Sequence, residues 1–195
     1  MELKWENAKT LDSKSYVCGY CGNPLASNQG FWAVDTRSNA TVGRIYICHH
    51  CLRPTYFDDI GKQVPGSAYG RKVDNVPVEV SDLYDESRKC TSCGAYMAAV
   101  LCCRKLLMNV AVSKGAQEGL SFVDYIEFLS QRGFVPPDGK EWVDHIRRKG
   151  NEATHEIAPM TRQDAEDLID FAEMLLKFIY EFPAIIKTRS RASAS

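Results

Sequence analysis

No apolar run in the sequence approaches the 18 or more residues that a membrane-spanning helix needs, and a membrane location is not expected. The first residues, Met1-Glu-Leu-Lys-Trp5-Glu-Asn, lack the apolar centre of a secretory signal. An excess of charge of either sign is missing too. The net charge of −1 excludes global attraction to nucleic acid and confines any such contact to local patches such as Arg147 to Lys149. These absences together point to a cytoplasmic location. What is present is a chain of 195 residues, 45% of them hydrophobic, enough for a small module followed by a medium-sized one, each with an interior. Cysteine is not scarce: eight in a cytoplasmic setting argue for metal ligands or buried thiols over disulfides.

Four of the eight stand as two C-x-x-C pairs, Cys18-Gly-Tyr-Cys21-Gly22 and Cys48-His-His-Cys51. Two residues between thiols let one tight turn aim both at the same ion, and a second such turn completes a tetrahedron. Gly22 suits a position needing positive φ. Between the pairs, Gly30-Phe-Trp-Ala-Val-Asp35 and Gly43-Arg-Ile-Tyr-Ile-Cys48 read as strands of a hairpin. The expectation for residues 1–58 is a zinc ribbon with a structural Zn²⁺ on Cys18, Cys21, Cys48 and Cys51, closed to solvent ligands and needed for folding. His49 and His50 are expected as exposed loop residues. Phe31, Trp32, Arg44 and Tyr46 offer a surface for nucleic acid or a protein partner, although aromatics of this size more often pack against their own domain.

Residues 59–80 carry Gly61, Pro65, Gly66, Gly70 and Pro77 without helical periodicity and read as a linker, with Ser81 as the N-cap of the first helix. Residues 81–183 read as five helices. The second, about Ala95 to Ser113, is apolar on most of its circumference and belongs at the centre of a bundle. Ser121-Phe-Val-Asp124 and Thr161-Arg-Gln-Asp164 resemble capping boxes opening the third and fifth helices, Gly133 stops the third, and Pro183 closes the fifth. Residues 184–195 read as a disordered basic tail. Cys90-Thr-Ser-Cys93 has no second pair to complete a knuckle, and with Cys102 and Cys103 it reads as a set of packed thiols, a second metal site being the alternative. The fold class expected is thus mainly α: a five-helix bundle preceded by a small β zinc ribbon.

The fourth helix, about Lys140 to Glu156, holds the densest functional pattern. Residues four apart share a helix face, so Arg147, Asn151 and His155 form a ladder, with Arg148 one heptad before His155. A guanidinium to offset charge on phosphate and an imidazole to carry protons are groups that RNA cleavage through a neighbouring 2′-hydroxyl requires. The same stripe equally serves as a binding surface, or as buried polar residues locking helix to helix.

Leu83-Tyr-Asp-Glu-Ser-Arg88, Ala98-Ala-Val-Leu-Cys-Cys-Arg104-Lys-Leu-Leu and Trp142-Val-Asp-His-Ile-Arg-Arg-Lys-Gly-Asn-Glu-Ala-Thr-His155 resemble the bacterial family known as domain of unknown function 4145, over about Val76 to Phe182. That family is similar to the HEPN helical superfamily. The resemblance implies an all-α bundle, often a homodimer through the helical domain, and in many members a metal-independent endoribonuclease of toxin or antiviral type. Its signature is an Arg, four to six residues, then a His. Arg148 and His155 fit the upper limit of that spacing, while the Ile-Arg that precedes the Gly-Asn pair points to Arg147. The expectation is a HEPN-like protein interacting with RNA or a nucleotide through Arg147, Arg148, Asn151 and His155, cleaving it or only binding it.

Overall fold

The computed structural model describes residues 3–136, 140–155 and 159–192, with the side chains of residues 140, 150–155, 191 and 192 outside the description. The chain divides into two units, Met1–Ala68 and Tyr69–Ser195.

The first unit is a five-stranded antiparallel sheet in sequential order: β1 (Lys9–Val17), β2 (Pro24–Val34), β3 (Thr41–Ile47), β4 (Pro54–Asp58) and β5 (Gln63–Val64). Only β2 and β3 announce themselves in the sequence. The edge strand β1, interrupted between Thr10 and Lys14, carries few large apolar residues because an edge strand is free to stay polar on its solvated side. β4 opens on a proline and β5 has two residues, so neither offers a run long enough to read. The expected fold class is corrected here. The chain is mixed α and β, not mainly α with a small ribbon: 46% of the described residues are helical and 19% strand. Tyr16, Leu25, Tyr46 and Phe57 pack with Cys18 and Cys48 into the core of this unit. Tyr16 and Tyr46 both meet Phe57 edge-on, with centroids 5.3 and 5.8 Å away.

The second unit contains α1 (Val78–Ser92), α2 (Tyr96–Ser113), α3 (Phe122–Gln131), α4 (Lys140–His155), and a last rod of α5 (Arg162–Leu176), a π turn (Lys177–Glu181) and α6 (Phe182–Ala192). α2 is long and apolar enough by composition to cross a membrane, but Ala99, Val100, Cys103, Leu106, Leu107, Val110 and Ala111 lie buried in the helical core, which accounts for that composition. Two of the three N-caps expected from the sequence, Ser121 and Thr161, are present. Ser121 accepts from the Asp124 amide, and Thr161 with Asp164 forms a complete capping box.

Three features differ from the sequence reading. α1 starts at Val78 on a Pro77 cap, not at Ser81, because Val80, Tyr84 and Ser87 already present a buried face. The segment before it is not all linker. Tyr69 donates to Asp170 (2.9 Å), the Arg71 and Asp74 amides donate to Glu173 (2.6 Å) and Glu181 (2.9 Å), and Arg88 donates to the carbonyls of Tyr69 and Gly70. This strap fastens residues 69–74 across α1 and the last rod. Pro183 does not end that rod. A proline lacks the N–H that would bond four residues back and crowds the carbonyl there; the π turn just before it, where the Phe182 amide bonds five residues back to Lys177, accommodates the break and the helix runs on to Ala192.

Candidate functional site

Two tight turns of the sheet unit present the four thiols, and they are built alike. In the first, the Cys18 amide donates to the Asn23 carbonyl (3.0 Å) and the Gly22 amide to the Cys18 carbonyl (2.9 Å); in the second, the Cys48 amide donates to Arg53 (3.1 Å) and the Leu52 amide to Cys48 (2.8 Å). The residue after each pair has positive φ, 72° at Gly22 and 58° at Leu52. Leu52 adopts this conformation against its own preference, and the indole N–H of Trp5 caps its carbonyl at 2.6 Å. Cys18 Sγ lies 3.7 Å from Cys51 Sγ and Cys21 Sγ 3.8 Å from Cys48 Sγ, and all four sulfurs lie within 4.8 Å of one another. Metal–sulfur bonds of about 2.3 Å at tetrahedral angles put neighbouring sulfurs about 3.8 Å apart, so the cage has the dimensions of a four-thiolate metal site.

The electrostatics suit a cation at the centre. Burial pushes the Cys51 thiol up to about 12, aided by the three neighbouring sulfurs, and raises Cys18 as well. Burial acts on Cys21 in the same sense, but hydrogen bonds from the Asn23 amide and from the other thiols outweigh it and bring Cys21 to about 7. The four cannot shed their protons together without a positive charge among them. His49 and His50 are exposed, their rings 4.3 Å apart. The other expected surface is not one surface. Trp32 and Arg44 pair across β2 and β3 on one face, Phe31 and Ile45 pair on the opposite face, and Tyr46 is buried.

In the helical unit the two arginines of α4 part company, as adjacent helix positions must. Arg147 turns to α3 and sits between Glu127 (3.2 Å) and Asp144 (3.1 Å). Arg148 stays exposed, its guanidinium 3.4 Å from His145 Nδ1. Lys149 pairs with Asp164 on α5 at 3.1 Å. Asn151 and His155 stand on the α4 backbone, and their side chains lie outside the described residues.

The sequence reading assigned no role to His145 or Asp167. His145 Nε2 is 2.9 Å from Asp167 Oδ2, while Gln163 donates to Asp167 Oδ1 at 2.7 Å. A carboxylate accepts, so Nε2 carries the proton and Nδ1 keeps its lone pair toward Arg148. The result is an imidazole of defined tautomer, half-buried, between a carboxylate and a guanidinium. Its signal is tertiary, since Asp167 lies 22 residues away on another helix.

The remaining thiols form no knuckle. Cys103 is buried and Cys90 and Cys102 are half-buried, while Cys93 is exposed at the C-cap of α1, outside the packed set expected.

Fold and site thus define a protein of two units, one carrying four clustered cysteines that could hold a metal ion and one a helical bundle with a polar face on α4. Residues 85–192, more than half of the chain, match the family described as domain of unknown function (DUF4145), and the chain belongs to that family. Neither the curated proteins nor the solved structures include a match.

Proposed function

We propose that the protein is a HEPN-like, cytoplasmic RNA- or nucleotide-interacting protein that contacts phosphate through α4, and that the four-cysteine centre holds a structural Zn²⁺. Four thiolates close a tetrahedral shell, leaving no position for substrate, so the ion acts on folding and not on chemistry. The observation that carries the phosphate reading is the Asp167–His145–Arg148 arrangement. Arg148 supplies an exposed guanidinium for bidentate contact with phosphate oxygens, and Asp167 fixes the orientation of the His145 ring beside it. Arg147 is already balanced by two carboxylates and contributes less.

The fixed tautomer favours a second reading, cleavage of the bound RNA. The 2′-hydroxyl would pass its proton to His145 Nδ1 as its oxygen attacks the adjacent phosphorus, Arg148 would offset charge on the phosphorane, and the 5′-oxygen would leave with a proton from water. His155 is the competing proton carrier, the one that the family signature favours.

Binding of a labelled single-stranded RNA, followed by fluorescence polarisation, tests the first reading. Arg148→Ala should weaken it by about tenfold or more and Arg147→Ala by much less. Equal losses, or no binding at high micromolar protein, would overturn it. Incubation of the same RNA with wild type, His145→Ala and His155→Ala separates the second: cleavage lost only with His145 supports it, cleavage lost only with His155 transfers the role, and intact RNA in every lane leaves a binding protein.

A further inference from the structure

A cleft of about 340 Å³ opens between α2, the turn that follows it and the start of α3, away from α4. Lys105, Met108, Asn109 and Val112 form its α2 wall, at the i, i+3, i+4 and i+7 spacing of one helix face. The turn supplies Glu118, Gly119 and Leu120, and α3 supplies Tyr125. Met108, Val112 and Leu120 are half-buried and pack against the helical core, so the floor is apolar. Small-molecule sites occupy roughly 300–1,000 Å³, with an apolar lining and a few convergent polar groups. The cleft sits at the small end of that range.

Tyr125 points to a ligand. It is 3% exposed, yet its hydroxyl makes no hydrogen bond to any described residue. Buried phenols ordinarily find a partner. The hydroxyls of Tyr16 and Thr55 are sealed off without one; that of Tyr125 is not sealed, so its partner enters through the cleft it lines, as water or as a ligand that displaces water. The charged members are uncommitted too. Lys105 and Glu118 are both exposed, and neither forms an ion pair with the other or with any other described residue. The Asn109 amide is equally without a bond among the described residues. An ammonium alone would select an anion, and a carboxylate alone a cation. Both, bordering one apolar floor, select a small molecule with a carboxylate, an ammonium and a hydrocarbon side chain.

We propose that this cleft binds a free α-amino acid with an apolar side chain. The ligand's carboxylate accepts from the Lys105 ammonium, the Asn109 amide and the Tyr125 hydroxyl, and its ammonium donates to Glu118. Its side chain covers Met108, Val112 and Leu120. No residue of the cleft belongs to α4 or to the cysteine cage, so the inference goes beyond the phosphate reading and does not depend on it.

Isothermal titration calorimetry of the full chain with L-leucine and L-phenylalanine should show one site per chain. Glycine, which lacks the side chain, should bind at least about tenfold more weakly. Leucinamide lacks the carboxylate and N-acetyl-leucine the ammonium, and each should lose about tenfold relative to leucine. Lys105→Met should remove most of the difference between leucine and leucinamide, and Glu118→Gln most of that between leucine and N-acetyl-leucine. Both residues are exposed, so neither change threatens the fold. Tyr125→Phe should weaken leucine about threefold to tenfold while the thermal unfolding of the unliganded chain stays where it was, because the hydroxyl bonds nothing inside the protein. No binding of either amino acid at millimolar concentration overturns the proposal. So do equal affinities for leucine and its two blocked forms, or a Tyr125→Phe loss that falls on thermal stability and not on affinity.

Discussion

The core of the sheet unit is Tyr16, Leu25, Tyr46 and Phe57 with two of the metal-site cysteines, whereas the helical unit buries a continuous apolar cluster from Val73 to Ile179. The difference lies in how each unit meets the entropy of ordering its chain. A sheet unit of this size, with one small aromatic cluster, falls short from apolar burial alone, and the proposed metal, by cross-linking four distant thiols, would make up the shortfall. The helical unit needs no such cross-link. Its central helix contacts all the other α-helices of the bundle from α1 to α5 and is apolar on the faces that do so.

Removing the metal is the harshest way to break this comparison. Strong chelation, or Cys48→Ser, should unfold the sheet unit with a loss of about 10 kcal/mol or more, the scale of structural zinc sites. The helical signal at 222 nm should remain, and the fluorescence of Trp5 and Trp32 should shift while Trp142, packed edge-on against Phe171 at 5.2 Å, stays where it was. Helices melting at the same chelator concentration would show that the two units do not differ in this way.

The converse perturbation is Phe171→Ala. Phe171 is fully buried, and the cavity left should cost the helical unit about 3–5 kcal/mol in denaturant unfolding, with metal stoichiometry unchanged. Next in size is Gly30→Ala in β2. A Cβ there would stand 1.7 Å from the Ile45 carbonyl oxygen, so the β2–β3 pairing must open, with a loss of about 2–3 kcal/mol expected in the sheet unit alone.

The smallest effect concerns the α5 cap. Burial pushes the Asp164 carboxyl up, but hydrogen bonds from Thr161 and the charge of Lys149 outweigh it and hold it below the usual carboxylate value. A folded-state pKa below the unfolded one makes the contribution complete above about pH 4, and it is lost as pH falls through the folded value. Asp164→Ala should therefore cost about 1–2 kcal/mol near neutrality and progressively less under acid. An effect of equal size at pH 3 and pH 7 would mean that the charge is not what stabilises the cap.

Much of this could be read from residue spacing. Two C-x-x-C pairs place their thiols by local turn geometry, and the structure brings them to the separations of a metal cage. Thr161-Arg-Gln-Asp164 contains its own capping bonds within four residues, and the apolar circumference of α2 announced a central helix. Less was legible where the partner lay elsewhere. β1 and β4 are strands because of the neighbours they pair with, not through their own composition, and the expected small ribbon is in fact a five-stranded unit. Cys90 and Cys93 repeat the knuckle spelling, yet they close a helix because no second turn faces them.

The sequence by itself determined several features whose interacting groups lie within a few residues: the knuckles, the N-caps of α3 and α5, the apolar face of the central helix. Only the tertiary structure decided which of two adjacent arginines is balanced by carboxylates, and that Asp167 orients His145. Hydrogen bonds and ion pairs act over about 3 Å of space, and helix packing brought those atoms within that distance across 22 residues of chain.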